Sequence, residues 1–388
     1  MMKTMTNVLV AAAVATGGQA AAVAGGGRSV DIRSGLERIV AGGGATAALA
    51  RVSDGHRTWT GAAGVRDIER GGRPSPGGHF RIGSVTKTFV ATVVLQLVDE
   101  GKVRLDDPVD EYLPGLVPDG EQITVRQLLN HTGHLYDYMS EPGYSTNRWR
   151  GDARFRSYRP RELLKVAFAK KLPDDGKWHY SNTGYVVLGL LVEKVTGRPY
   201  GEEVTRRVLR PLGLRHTLVP GDRAGLPSPH AKGYEPLPGL VDATRMNPSL
   251  DWAAGEMIST AADLERFMSA LLGGRLISEA SLKAMRTTVE TGAGFGYGLG
   301  LQAYRLPCGT VWGHSGELIG YLTFTFRSDS GTSLTLSINP STRNPTTEEV
   351  MGLAVRTFCG PSGRGGGARP TAGPGSPAAP SPAPSPRS

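Results

Sequence analysis

Apolar and polar residues follow two different periods along this chain. Apolar residues recur at the spacing of one helix face over residues 30–40, 85–100, 124–129, 160–169, 182–195, 261–272, 278–285 and 346–358. Extended composition, or alternation of apolar with polar residues, predicts strands over residues 45–52, 57–64, 322–327 and 333–338. Extended stretches near both ends of the chain therefore bracket a mostly helical middle.

This order of elements predicts an α+β protein. We expect one antiparallel sheet of about five strands, built from both ends of the chain and flanked by helices, with an all-helical insertion beside it. In this prediction residues 25–105 and 245–359 form the sheet domain, and residues 106–244 form the helical subdomain.

The two ends of the chain differ in composition from its body. Residues 1–24 resemble a secretion signal, with a charge at Lys3, an apolar region over 8–15 and small residues at 22–24. Residues 360–388 hold eight of the 27 prolines and no apolar pattern, so we expect this tail to be disordered. The prediction is a secreted, extracellular protein without a membrane anchor, because no other segment has the length of one.

The formal net charge of +9 lies partly at the two ends. Residues 1–28 and 360–388 together hold five cations and no acid, which leaves +4 on the body. The cations are Lys3, Arg28, Arg364, Arg369 and Arg387. The body has no basic stripe with interleaved aromatic residues, so a nucleic-acid partner is not expected.

A nucleophile candidate stands at the start of the predicted helix over 85–100. Ser84 begins this helix and Lys87 follows one turn later, so the hydroxyl and the amine share a face. The free N–H groups of a helix start favour an anion there, and Ser-x-x-Lys is one way to activate an alcohol. A helix cap followed by a surface lysine gives the same four residues, so this motif alone does not decide.

Two further segments hold candidate functional side chains. Residues 178–182, Trp-His-Tyr-Ser-Asn, come directly before the predicted helix over 182–195. Residues 312–316, Trp-Gly-His-Ser-Gly, come directly before a predicted strand. Taken separately, each has an ordinary structural explanation: Tyr180 as a core phenol, Asn182 as a helix cap and His314 as a core histidine.

Taken together, the three motifs resemble the active-site set of the serine penicillin-recognising enzymes. Residues 84–87 are similar to the Ser-x-x-Lys motif of that family, residues 180–182 to its Tyr-x-Asn motif, and residues 314–316 to its Lys/His-Thr/Ser-Gly motif. Flanking segments extend the resemblance over roughly residues 30 to 359 to the secreted D-alanyl-D-alanine carboxypeptidases related to class C β-lactamases: 80–84, 95–102, 124–127, 133–138 and 296–301. The resemblance implies a β-lactamase/transpeptidase-like fold.

The resemblance also implies roles in acyl transfer. Ser84 would attack the carbonyl, and Tyr180 would pass a proton to the leaving amine. Lys87 would act as the base or would hold Tyr180 in its anionic form, and the sequence leaves both open. The backbone N–H groups of Ser84 and Glu317 would form the oxyanion hole.

Substrate contacts follow from the same resemblance, and no cofactor or metal is implied. The expected partner is a small-molecule substrate, either a β-lactam or a small peptide such as a peptidoglycan stem peptide. We expect the protein to be a monomer. The candidate substrate-binding residues are Asn182, Trp252, His314, Ser315, Gly316 and Glu317.

The chain contains two cysteines, Cys308 and Cys359. Outside the cytoplasm a lone pair most simply forms one disulfide, although two unrelated buried thiols remain the alternative. The carboxypeptidases that the chain resembles have a disulfide at the two matching positions, so the resemblance implies the same pairing here.

Two positions depart from the carboxypeptidase pattern. Glu317 stands where that pattern has a threonine, and Gln302 stands where it has an arginine. Those two groups help to hold the terminal carboxylate of a peptide substrate, and a glutamate repels it. We therefore predict a serine hydrolase of this type, acting on peptide amides or β-lactams and most similar to the carboxypeptidases, with a class C-like β-lactamase or an esterase as the alternative.

The sequence gives less support to three other functions. Residues 313–316 resemble a nucleophile elbow, but that motif requires glycine at position 317 and a strand-to-helix turn. A metal hydrolase based on His131 and His134 lacks a third ligand at supporting spacing. A noncatalytic penicillin- or cell-wall-binding module would have no need for all the catalytic residue types of the three motifs.

Overall fold

The computed structural model describes residues 27–145, 151–172, 175–237 and 239–360. The predicted secretion signal and almost all of the predicted disordered tail lie outside these ranges. Among the described residues, no helix has both the length and the apolar composition needed to cross a membrane.

The structure describes twelve strands, and eight of them form one antiparallel sheet. The strands are β1 (Ala45–Ser53), β2 (Thr58–Gly64), β3 (Phe80–Arg81), β4 (Tyr234–Leu237), β5 (Gly239–Asp242), β6 (Ile258–Ser259), β7 (Val289–Glu290), β8 (Gly296–Tyr297), β9 (Gln302–Leu306), β10 (Gly309–Leu318), β11 (Tyr321–Ser328) and β12 (Ser333–Pro340). The order in the sheet is β2-β1-β12-β11-β10-β9-β8-β7.

The pairing of β1 with β12 joins the two ends of the chain. Ala50 stands opposite Leu336, and β1 also pairs with β2 in the predicted N-terminal hairpin. The α+β prediction with one main antiparallel sheet is therefore confirmed. The insertion over residues 106–244 is not all-helical as predicted, because β4 and β5 pair within it as a separate antiparallel hairpin. The sheet has eight strands where we expected about five, because β7, β8 and β9 are short and show little alternation.

Helices cover both faces of this sheet. They are α1 (Gly27–Ala41), α2 (Thr86–Asp99), α3 (Val125–Leu129), α4 (Pro160–Phe168), α5 (Asn182–Thr196), α6 (Tyr200–Val204), α7 (Arg210–Leu212), α8 (Ala261–Leu272), α9 (Glu279–Arg286) and α10 (Thr347–Cys359). Helices α1 and α10 pack together on one face, and α8 packs against β11 and β12 on the other.

Local capping explains several of these boundaries. Thr124 and Thr346 each form a capping box with the residue three positions later, and Thr260 and Ser278 each accept a backbone N–H through their side chains. Helix α5 ends at Gly197 in the left-handed conformation. The predicted helices therefore appear within a few residues of their expected ends.

Two segments differ from the sequence predictions. Residues 200–212, for which no helix was predicted, contain α6, a π-helical turn over Thr205–Leu209, and α7. Pro199 is the residue before α6, and Pro211 lies in the first turn of α7. Proline is accepted at the start of a helix, because the N–H that it lacks would not form an intrahelical hydrogen bond there. Residues 312–316 lie inside β10 and not before a strand, because β11 pairs with this whole segment.

The two cysteines meet on the α1 and α10 side of the sheet. Cys308 lies between β9 and β10, and Cys359 is the last residue of α10. The structure joins them in a disulfide with their Cα atoms 5.3 Å apart. This is the predicted pair, and it fastens the C-terminal helix to the strand that carries the third motif.

Candidate active site

Ser84 lies in a one-turn 3-10 helix over Gly83–Val85 that leads into α2. We expected the helix to begin at Ser84 itself, and the structure begins its α-helical part at Thr86. The following turns of α2 are almost entirely buried in the main hydrophobic core. This rigid packing holds the Ser84 hydroxyl, which is half-buried, at the edge of β10.

Lys87 is fully buried and makes three hydrogen bonds at once. Its Nζ atom donates to Ser84 Oγ at 3.1 Å, to Asn182 Oδ1 at 2.7 Å and to the Ala254 carbonyl at 2.7 Å. Burial lowers the pKa of Lys87 to about 7, against the opposing charges of Asp137 and Asp251. A neutral amine beside Ser84 is therefore populated at neutral pH.

Tyr180 completes this group from the segment before α5. Its ring centroid lies 4.9 Å from Lys87 Nζ, and its buried hydroxyl has no hydrogen-bond partner among the described residues. Burial raises the pKa of Tyr180 well above its ordinary value, although the nearby Ser84 hydroxyl acts in the other direction. The site therefore favours the protonated phenol.

Asn182, the first residue of α5, is held from both sides. Its Oδ1 accepts from Lys87, while its Nδ2 donates to Asp137 Oδ2 at 2.9 Å. Burial raises the pKa of Asp137, and the Lys87 charge and the Asn182 amide oppose this rise. Our sequence reasoning gave Asp137 no role, although it falls in the segment 133–138 that carried part of the family resemblance.

His314 in β10 is fully buried and belongs to an aromatic cluster. Its Nδ1 lies 2.5 Å from the Ser315 carbonyl and its Nε2 lies 2.8 Å from the Tyr297 hydroxyl. Nδ1 must donate to that carbonyl, so Nε2 accepts from Tyr297. Burial, aided by the Lys87 charge, lowers the pKa of His314 to about 3, so this imidazole is neutral.

His131 and Tyr297 were also missed by the sequence reasoning as parts of this cluster. The His131 ring centroid lies 4.2 Å from that of Tyr180 and 4.6 Å from that of Tyr297. His131 is buried, and burial lowers its pKa well below the ordinary value. These rings support the position of Tyr180 and do not form a metal site with His134, which is exposed. In the described ranges no three His, Cys, Asp or Glu side chains are placed to hold a metal ion.

Ser315 of β10 and Gln302 of β9 form a hydrogen-bonded pair. Gln302 Oε1 accepts from the Ser315 N–H at 2.9 Å and from Ser315 Oγ at 3.1 Å. Gln302 is buried, at the position where the carboxypeptidase resemblance has an arginine. Its carboxamide therefore orients Ser315 and supplies no positive charge.

Gly316 brings β10 into direct contact with the segment before Ser84. A Cβ atom at position 316 would lie 2.0 Å from the Ile82 carbonyl oxygen and 2.9 Å from the Ser84 nitrogen. A Cβ atom at Gly83 would lie 2.6 Å from the Glu317 nitrogen. The backbone nitrogens of Ser84 and Glu317 thus lie along one contact between two chain segments, as an oxyanion hole requires.

Trp252 is the predicted site residue that the structure places elsewhere. Its ring packs edge-on against Tyr200, with centroids 4.7 Å apart, and both line a separate cavity together with Glu256. Its ring therefore lies apart from the hydrogen-bonded group of Ser84, Lys87 and Asn182, and its role in substrate binding stays a prediction. The segment still contributes through its backbone, because the Ala254 carbonyl two residues later accepts from Lys87.

This geometry defines an acyl-transfer site on a β-lactamase-type fold. Its parts are the serine at a helix start, the buried lysine, the tyrosine and the two backbone N–H groups. The family model "Beta-lactamase" matches residues 9–350, so the chain belongs to this family of serine hydrolases.

Solved structures and curated relatives give the same family. A D-stereospecific amidohydrolase from Streptomyces sp. is 39% identical, with a TM-score of 0.78 over 86% of this chain and 99% of that one. The D-amino acid amidase of Ochrobactrum anthropi SV3, complexed with L-phenylalanine, is 29% identical, with a TM-score of 0.74 over 84% and 97%. A putative penicillin-binding protein, PbpX of Bacillus subtilis (strain 168), is 30% identical over 66% of this chain. The match spans 61% of the length of that curated relative.

Proposed function

We propose that this protein is a D-stereospecific amide hydrolase, which acts on amides or esters of D-amino acids through an acyl-enzyme at Ser84. The support is the acyl-transfer geometry together with similarity, over almost the whole length of each, to a D-stereospecific amidohydrolase and a D-amino acid amidase. One of these proteins is named for its D-stereospecificity and the other for its action on D-amino acid amides, so we propose D-amino acid amides and esters as the substrate class of this protein.

One observation separates this function from that of a carboxypeptidase. Glu317 and the buried Gln302 stand where the carboxypeptidase pattern has a threonine and an arginine, and neither carries the positive charge that would form an ion pair with a terminal carboxylate. A D-alanyl-D-alanine peptide presents such a carboxylate, whereas a simple D-amino acid amide does not. The geometry therefore favours the amide over the peptide.

The proposed reaction begins with proton transfer from Ser84 to Lys87, which lies 3.1 Å away and has a pKa near neutrality. Ser84 Oγ then bonds to the substrate carbonyl carbon, and the oxyanion accepts from the backbone N–H groups of Ser84 and Glu317. The C–N bond of the substrate then breaks as Tyr180 donates its phenolic proton to the departing nitrogen, and Lys87 returns the proton that it took from Ser84 to Tyr180. Water attacks the ester in the second half, with the same groups acting in reverse, and releases the D-amino acid.

The test compares D- and L-phenylalaninamide, with Ser84→Ala as the matched control. We expect ammonia release from the D-amide alone and none from the Ser84→Ala protein. Labelling by a fluorescent penicillin, followed by intact-mass spectrometry, reports separately whether Ser84 is acylated. Equal hydrolysis of both enantiomers would overturn the stereospecificity, and hydrolysis by Ser84→Ala would overturn the nucleophile.

The second candidate is the carboxypeptidase, favoured by the family resemblance of the three motifs. The double variant Glu317→Thr, Gln302→Arg tests it with a peptide ending in D-Ala-D-Ala. We expect at least about 10-fold higher kcat/KM on the peptide in the double variant than in the wild type, because a like charge is removed and a cation added. A wild type already faster on this peptide than on D-phenylalaninamide would favour the carboxypeptidase.

Export of the enzyme belongs to the same proposal. Residues 1–24 have the charge, apolar and small-residue order of a cleaved signal, and an extracellular location suits a disulfide-bearing enzyme. Fractionation of cells that produce the full chain, with the N-terminus of the secreted protein sequenced, tests this. Retention of the uncleaved chain inside the cell would contradict it.

A further inference from the structure

A cavity of about 580 Å³ lies beside the segment whose Ala254 carbonyl accepts from Lys87. Trp252 and Glu256, two positions before and after Ala254, both line this cavity, and Tyr200 of α6 lines it from another element. Its volume falls in the range of sites that hold a small organic molecule. The acyl-transfer chemistry uses none of the side chains that line it.

Glu256 contributes a buried carboxyl group to the cavity. The residue is 1% exposed, and its Oε1 accepts from the Tyr200 hydroxyl, whereas its Oε2 has no hydrogen-bond partner among the described residues. Burial raises the pKa of Glu256 to about 7, although the Tyr200 hydroxyl and the Gly221 N–H oppose this rise. A buried carboxyl oxygen without a partner is unfavourable, and a donor on a ligand in the cavity would satisfy it.

Two aromatic rings and a second carboxyl group adjoin Glu256. The rings of Tyr200 and Trp252 meet edge to face, with centroids 4.7 Å apart, and Glu193 Oε1 accepts from the Tyr200 N–H at 3.2 Å. Glu193 and Glu256 both line the cavity, and neither forms an ion pair with a described residue. Carboxylates beside aromatic rings are the groups that proteins use to bind an ammonium ion. This buried end of the cavity therefore suits an ammonium group.

The exposed rim of the cavity has the opposite charge. Arg198, Arg206 and Arg210 line it and are exposed, with one exposed carboxylate, Glu202, among them. Arg198 and Arg206 share Glu203 as their ion-pair partner, whereas Arg210 forms no ion pair with a described residue. A guanidinium group matches the planar geometry of a carboxylate. The rim therefore suits a ligand carboxylate.

The backbone of Trp252 is strained at this place. Its φ of 37° lies in the left-handed region, which a residue with a bulky side chain rarely adopts. Strain of this kind persists where the surrounding structure requires it, and it is concentrated at functional sites. Here the strained residue is the one that supplies an aromatic wall of the cavity.

We propose that this cavity is a second ligand site, which binds a free amino acid with its ammonium group at Glu256 and Glu193 and its carboxylate at the arginines of the rim. The site is separate from the acyl-transfer group and goes beyond the proposed function. The proposed reaction would supply such a ligand, because it releases a D-amino acid. A compound that lacks either charge should bind more weakly.

Calorimetric titration of D-phenylalanine into the wild type, Glu256→Gln and Arg210→Gln tests this site. Glu256→Gln removes a buried charge-assisted hydrogen bond and should raise the Kd by about 10- to 100-fold. Arg210→Gln acts at an exposed position and should raise it by about 3- to 10-fold. N-acetyl-D-phenylalanine, which has no ammonium group, should bind the wild type at least about 10-fold more weakly than D-phenylalanine.

Two further variants separate the cavity from the active site and from the general surface. Asn182→Ala alters the active site, and Glu290→Gln neutralises a carboxylate with an 83% exposed side chain on β7. Both should bind D-phenylalanine within about 3-fold of the wild type. The melting temperature reports folding, and Arg210→Gln, at an exposed position, keeps the test open if Glu256→Gln is unstable.

Absence of saturable binding by the wild type would overturn the site, as would an unchanged Kd in both Glu256→Gln and Arg210→Gln. Binding that is lost in Asn182→Ala and kept in Glu256→Gln would place the ligand in the active site and also overturn it. Binding requires no turnover. Failure of the wild type to hydrolyse D-phenylalaninamide would therefore overturn the proposed hydrolase and leave the result for this cavity unaffected.

Discussion

Asp137 accepts a hydrogen bond from the Asn182 amide at 2.9 Å, which leaves the Asn182 carbonyl oxygen facing Lys87. The two residues are separated by 45 positions in the sequence. Because an amide has one donor end and one acceptor end, Asp137 determines which end meets the catalytic amine. The carboxylate also lies near enough to raise the pKa of Lys87 against the effect of burial.

Asp137→Asn should therefore lower the rate of Ser84 acylation by about 10- to 100-fold, since a charge-assisted hydrogen bond is lost. Removal of the negative charge should also shift the acid limb of the pH–rate profile to lower pH. The acylation rate with a penicillin, measured from pH 5 to 9, checks both effects. An unshifted acid limb with a lower rate at every pH would mean that Asp137 affects the structure alone.

The pH dependence of Ser84 acylation in the wild type should follow the deprotonation of Lys87. The acceptor of the Ser84 proton must be neutral, so the acylation rate should rise by about 10-fold per pH unit below pH 7 and level off above it. A penicillin with an acylated side-chain nitrogen is the suitable reagent, because it brings no titrating amine of its own. A rate that is flat between pH 5 and 8 would exclude Lys87 as the group that titrates.

Burial of Lys87 also predicts a change in stability. Its folded pKa of about 7 lies below the unfolded value of 10.5, so folding releases a proton between these values. The destabilisation is complete below pH 7 and disappears as the pH rises toward 10.5. The melting temperature of Lys87→Met relative to wild type should therefore decrease as the pH rises from 7 to 10. A difference that is constant over this range would contradict the depressed pKa.

Gly316→Ala should abolish acylation. The new Cβ atom would lie 2.0 Å from the Ile82 carbonyl oxygen, and this contact forces apart the two segments that present the Ser84 and Glu317 N–H groups. Loss of one oxyanion donor lowers rates by about 100-fold or more. Gly225→Ala, at a position with nothing within 4 Å of the added atom, is the control and should react normally with a penicillin. A normal rate in Gly316→Ala would show that the contact relaxes without effect.

Reduction of the disulfide between Cys308 and Cys359 should destabilise the protein. The two residues are 51 positions apart, and closing a loop of that length corresponds to roughly 4 kcal/mol in the loop-entropy model. Thermal unfolding of the wild type and of Cys308→Ser, Cys359→Ser measures this, and peptide mapping without reductant identifies the linked pair. Free thiols on both cysteines in the secreted protein would contradict the pairing.

Elements that depend on local interactions could be predicted from the sequence. Helices α4, α5 and α8 lie where the apolar period and the residues at their ends predicted them, because both signals act within one or two helical turns. The alternating strands β11 and β12 were predicted for the same reason. The three motifs were also legible, since each is a short segment with its own residue types.

Packing between distant parts of the chain brings those segments together, and no local pattern predicted it. Lys87 contacts Asn182 across 95 positions and the Ala254 carbonyl across 167, and no local pattern indicates either pairing. The same long-range packing placed the Trp252 ring in a separate cavity and brought Asp137 to the active site. Such contacts depend on the path of the whole chain, which is fixed by burial of the apolar faces of distant elements against one another. The sequence therefore determined the reacting groups, and the packing of the core determined their mutual geometry.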